Sequence, residues 1–106
     1  MDLNTYQIGA VNTAIYPGDV ALPYLALGLG NEAGEVQGKI KKYLRGDYDD
    51  IDLRVKLIGE LGDVLWYLSV LAYQLDISLG AIALANLDKL ADRKARGKLK
   101  GDGDTR

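Results

Sequence analysis

Apolar residues recur every three or four positions along most of the chain, the spacing of helices with one face turned inward. Proline and glycine cut this pattern into four segments. The first covers about residues 2–15 and stops at Pro17-Gly18. The second covers about 21–45 and closes at Gly46 and the acidic loop "DYDD". The third covers about 51–75, with Asp50 or Asp52 as its N-cap. The fourth covers about 78–96, with Ser78 as N-cap and Gly97 just past its end. The β-branched alternation of strands is absent. The pattern predicts an all-α fold, a four-helix bundle-like protomer over residues 1–96. The polar, glycine-rich remainder, 97–106, is expected to be a flexible tail that can close over a substrate.

Within the third segment, "VLWYLSVLAYQL" is apolar nearly all the way round a helix. Such a helix needs cover on most sides. A central core helix satisfies that. A helix buried between subunits satisfies it better in so short a chain, so a homodimer or homotetramer is expected.

Composition removes several chemistries. A chain of 106 residues favours one domain with a modest core. The net charge of −2 offers no basic field for a nucleic acid polymer or a membrane surface. Without cysteine there is no disulfide framework and no zinc thiolate site. Without histidine there is no Ser-His-Asp triad and no histidine-ligated zinc or iron. The N-terminus lacks the basic start and apolar run of a signal peptide, which makes a cytoplasmic location the expectation.

The candidate chemistry lies in "GNEAGEV" (30–36) and "GELGDV" (59–64). Each pairs two carboxylates three residues apart, so each pair shares a helix face. Glu32 and Glu35 fall on a stripe with Lys39 and Lys42; Glu60 and Asp63 fall on one with Lys56 and Tyr67. A third, mostly cationic stripe holds Asn86, Lys89, Arg93 and Arg96. Each interior glycine costs about 1 kcal/mol against alanine. Gly30, Gly34, Gly38, Gly59 and Gly62 are therefore expected to gain close helix approach, which would bring the two acid pairs together. Carboxylates that meet at 4 Å repel by about 4 kcal/mol at an effective dielectric of 20. They must protonate, pair with Lys or Arg, or bind a cation. A solvated, salt-bridged polar face is one outcome. A metal site is the other, and an all-oxygen donor set suits Mg²⁺, Mn²⁺ or Ca²⁺. Cationic stripes beside such a site suggest a polyphosphate substrate.

At these residues the sequence resembles the MazG-like nucleoside triphosphate pyrophosphohydrolases of the all-α superfamily, which also includes dimeric dUTPases and phosphoribosyl-ATP pyrophosphatases. Their signature is Glu-Glu-x-x-Glu followed by Glu-x-x-Asp; here "NEAGE" precedes "ELGD". "YQIGAVNTAIYP" and "NLDKLADRKARGKLKGDGDTR" resemble the two ends of small MazG-like proteins, so the likeness covers most of the chain. It implies Glu32, Glu35, Glu60 and Asp63 as Mg²⁺ ligands, with Mn²⁺ an alternative. One position departs: Asn31 stands where the family has a glutamate, which leaves the number of ions open.

The resemblance also implies hydrolysis of a (d)NTP to (d)NMP and pyrophosphate, in the service of clearing non-canonical or surplus nucleotides. Glu35 is the candidate base for the attacking water. Lys39, Lys42, Lys89, Arg93 and Arg96 are candidates to hold phosphate oxygens, although each singly also suits a solvated surface. Asn86 can bond sugar or phosphate; Tyr67 can reach a phosphate or simply pack. Tyr6, Gln7, Asn12 and Trp66 are candidates for the base, with Trp66 better placed to pack in a core or interface. The rival readings are a phosphoribosyl-ATP pyrophosphatase or dUTPase-like specificity, a non-catalytic helical oligomer stabilised by metal, and a partner-binding module built on the third helix.

Overall fold

A computed structural model describes all residues, Met1–Arg106. It contains four helices and no strands: α1 (Leu3–Val11), α2 (Ala21–Leu44), α3 (Asp50–Gln74) and α4 (Leu79–Ala95). A short 3₁₀ turn, Gly18–Val20, leads into α2.

The helix ends follow local chemistry. Asp2 caps α1 by accepting from the Thr5 N–H at 2.7 Å, and Ser78 caps α4 through the Ala81 N–H. The α3 cap is Asp49, one residue ahead of the expected Asp50, and it accepts from the Asp52 N–H at 2.9 Å. The first helix stops at Val11, short of the expected residue 15. Thr13 ends it: its amide and its hydroxyl both bond the Ala10 carbonyl, at 3.0 and 2.8 Å, and leave nothing for a further turn. Gly46 (φ 88°) and Gly97 (φ 69°) close α2 and α4 in the left-handed region.

Helices α2 and α3 pack side by side as a long hairpin, and α1 lies across α3. The centre is small: Ala10, Leu25 and Val70, surrounded by Tyr6, Val11, Tyr16, Trp66, Tyr67 and Leu71. The apolar run at the end of α3 is thus covered largely by α1 and α2 of the same chain. The uncovered apolar stripe lies upstream of it, at Ile51, Val55, Ile58 and Leu61.

Helix α4 departs from α3 at 101°. It touches α1 and α3 and makes no contact with α2. Gln7 holds the corner. Its buried side chain donates to the Ser69 and Ile77 carbonyls at 3.1 and 3.0 Å and accepts from the Leu79 N–H at 3.0 Å. Gln7 is therefore committed to the fold rather than free for a base. No single helix is long and apolar enough to cross a membrane.

Candidate metal centre

The hairpin brings Glu32 of α2 against Glu60 and Asp63 of α3. Their carboxylate oxygens can lie within 4.8 Å of one another. Glu32 and Glu60 are half-buried and Asp63 is exposed. Glu35, the expected fourth ligand, is outside the trio and exposed. Three residues advance a helix by about 300°, so Glu35 sits about 60° round from Glu32, near enough for its charge to act on Glu32.

Negative charge gathers where the three carboxylates meet. Burial raises the Glu32 pKa, and the negative fields of Asp63, Glu60 and Glu35 raise it further. Lys39 offsets one charge, with its ammonium 3.4 Å from Glu60. Two phenols stand beside the acids. Burial, then Tyr24, then Glu32 and Asp63 raise the pKa of Tyr67; burial and then Asp63 raise that of Tyr6. Both stay neutral hydrogen-bond donors at the edge of a negative site. The donor set is all carboxylate oxygen, which fits a hard divalent cation.

The glycine expectation needs correction. A Cβ at Gly30, Gly34, Gly38, Gly59 or Gly62 would meet nothing within 4 Å. Once Glu32 faces α3, Gly30 and Gly34 lie about 200° round the helix and cannot. The glycine that does allow close approach is Gly28, where a Cβ would run into the Tyr67 ring. The available signal was phase: Gly28 is four residues before Glu32 and shares its face. Tyr67 in turn meets Trp66 edge-on, with ring centres 4.9 Å apart. The Trp66 indole N–H donates to Thr13 Oγ1 at 2.8 Å, so Trp66 packs between helices.

The remaining candidates disperse. Lys56 leaves the acid stripe and lies over the Tyr48 ring at 5.1 Å. Lys42 is exposed at the far end of α2. The α4 stripe is not brought to the trio, because α4 leaves the corner away from α2. Asn86 is exposed there. Lys89 and Arg93 both reach the Asp104 carboxylate at 3.6 Å. Arg96 pairs with Asp92 at 2.8 Å and donates to the main-chain oxygen of Arg106.

Comparison with known proteins agrees with this arrangement. Residues 22–97 match the family described as "MazG nucleotide pyrophosphohydrolase domain". The matched span includes all three acids and the α4 stripe, and omits α1. The chain is similar along its whole length to the "Gene 37 protein" of Mycobacterium phage L5, at 46% identity over 115 aligned residues and 100% of each chain. No solved structure matches it. With the family span covering both helices of the acidic hairpin and most of the chain, the protein belongs to the MazG nucleotide pyrophosphohydrolase family.

Proposed function

We propose that the protein is a Mg²⁺-dependent pyrophosphohydrolase that converts a (d)NTP to (d)NMP and pyrophosphate. The observation that carries this is the convergence of Glu32, Glu60 and Asp63 in a MazG-family hairpin, where burial and the neighbouring acids raise the Glu32 carboxyl. Glu32, Glu60 and Asp63 hold the cation. When bound, it orients the phosphates and makes a ligated water more acidic. Mn²⁺ can replace it on the same donor set.

Water adds across the α–β phosphoanhydride: its oxygen bonds to phosphorus, the bridging P–O bond breaks, and pyrophosphate leaves. Glu35, exposed and outside the trio, takes the water's proton as general base. Lys39, 3.4 Å from Glu60, would be free to face phosphate oxygens with the cation bound. Tyr67 offers its neutral hydroxyl at the same edge. Lys42, Asn86, Lys89, Arg93 and Arg96 complete the phosphate and sugar contacts.

The α4 residues do not meet the acids within the chain, so the complete site is formed by a homo-oligomer in which one copy's α4 faces another copy's hairpin. The cellular task is the removal of non-canonical or surplus nucleotides.

The test is a panel of ordinary and modified nucleotides, with Mg²⁺ or EDTA, assayed separately for pyrophosphate and orthophosphate. Metal-dependent pyrophosphate release is expected. Glu60→Gln should lower it on the order of 100-fold, the scale of losing a preorganised charge contact at the reacting phosphate. A folded protein that releases pyrophosphate from no nucleotide would end the hydrolase reading. Preference for phosphoribosyl-ATP or dUTP within the panel would select one of the related specificities.

A further inference from the structure

The segment after α4 does not hang free. Arg106 curls it into a hook, donating to the carbonyls of Lys98 (3.2 Å), Leu99 (3.2 Å) and Gly103 (2.6 Å). Gly101 and Gly103 supply the left-handed turns, at φ 138° and 80°. The hook sets Asp104 against the α4 cations. The Asp104 carboxylate lies 3.6 Å from both Lys89 Nζ and Arg93 Nη2, and the Asp104 carbonyl accepts from Arg93 Nη2 at 2.8 Å.

The two sides of this contact are unequal. The Arg93 side chain is 6% exposed and that of Asp104 is 89% exposed. A guanidinium so buried must keep an anionic or carbonyl partner. An aspartate so exposed loses little by returning to water. The charge contacts at 3.6 Å are also longer than the 2.7–2.9 Å of a strong charge-assisted hydrogen bond. Leu99, the hook's one large aliphatic side chain, is itself 48% exposed, so little apolar burial holds the segment down. An oxyanion that carries more charge than a carboxylate can take the same seat.

We propose that residues 98–106 form an anion-displaced latch: Asp104 occupies the phosphate seat of Lys89 and Arg93 and leaves when a polyphosphate enters. This rests on the reading of Lys89 and Arg93 as phosphate ligands. The latch keeps Arg93 paired while the site is empty, and it makes the tail's release report the arrival of substrate. Asp104 thereby sets the threshold for polyphosphate binding without taking part in the reaction.

The experiment measures binding of inorganic pyrophosphate by calorimetry in EDTA, where the carboxylate trio has no cation to attract it. Wild type is compared with Asp104→Asn and with Asp102→Asn, which changes net charge equally but has no contact with Lys89 or Arg93. Losing an exposed ion pair should let Asp104→Asn bind pyrophosphate about three- to fivefold more tightly, with Asp102→Asn close to wild type. Pyrophosphate should also speed trypsin cleavage after Lys98 and Lys100 in the wild type. Equal effects of the two variants, no gain in Asp104→Asn, slower cleavage, or no pyrophosphate binding at all would each overturn the latch. Nucleotide turnover in Mg²⁺ is read on the same proteins. Turnover without an Asp104 effect removes the latch alone, whereas pyrophosphate binding without turnover removes the hydrolase reading alone.

Discussion

Glu32 shows how a binding group can work against the fold that holds it. Its carboxyl is raised by burial and by three neighbouring acids. The folded state therefore prefers Glu32 protonated. That contribution is complete below the ordinary glutamate range and is lost as pH rises through the elevated Glu32 value. In EDTA, the melting temperature should fall over that window, and Glu32→Gln should flatten the fall. Near neutral pH the Gln variant should melt higher than wild type in EDTA and gain nothing from Mg²⁺. Wild type should gain about 2.7 kcal/mol when free Mg²⁺ is 100 times its dissociation constant. Thermal scans across pH, with and without metal, check both halves. That acids would meet was legible from the two pairs three residues apart. Which of Glu32 and Glu35 would lie nearer Glu60 and Asp63 was not, because the pair's shared stripe is about 60° wide and only the packed groove selects one side of it.

Among the elements, α2 and α3 depend on one intolerant contact. Alanine at an interior helix position normally gains about 1 kcal/mol over glycine. At Gly28 the new methyl meets the Tyr67 ring, and overpacking costs about 1–3 kcal/mol. Gly28→Ala should therefore be less stable than wild type by about 1 kcal/mol net, and displacement of Tyr67 should raise KM for the nucleotide. Denaturant titration and steady-state kinetics read the two effects. The corner between α3 and α4 is the other sensitive joint. Gln7→Ala removes partners from the Ser69 and Ile77 carbonyls and the Leu79 N–H, and should cost about 3 kcal/mol. Hydrogen exchange should quicken first at Leu79, whose amide loses its acceptor. Helix number and most boundaries could be read from apolar periodicity, Ser78 and the glycine stops. The corner could not, because Gln7 lies seventy positions from the carbonyl it holds at Ile77. No local pattern encodes that pairing.

At the level of the whole molecule, the protomer is open. Its radius of gyration is 16.6 Å, whereas a compact chain of this length has about 13 Å. Ile51, Val55, Ile58 and Leu61 on α3 are exposed, as are Leu84, Leu87 and Leu90 on α4. Contiguous apolar stripes of this kind seek cover. Sedimentation should give a mass of at least two 11.5 kDa chains. Ile58→Glu should shift it towards one chain and reduce nucleotide turnover with it. In a true monomer the same exposed substitution would change stability within about 0.5 kcal/mol and leave the mass alone. The expectation of an oligomer comes from the all-round apolar run "VLWYLSVLAYQL", and the structure does leave apolar surface exposed, but mostly elsewhere. The run around Trp66 is largely covered from within, and the earlier turns of α3 carry the exposed stripe, because α1 packs on the second half of α3, a long-range contact that no local pattern encodes.

The right-angle departure of α4 makes it a lever. Its seventeen residues span about 25 Å at 1.5 Å each. A tilt of 10° at the corner would swing the Arg93 end by about 4 Å, more than the length of a hydrogen bond. The position of the cationic stripe is thus set at the helix's far end, by Gln7 together with Asn4, whose Oδ1 accepts from the Gly80 N–H at 2.8 Å. A substitution at Gln7 would detune the distance between two charges it never meets.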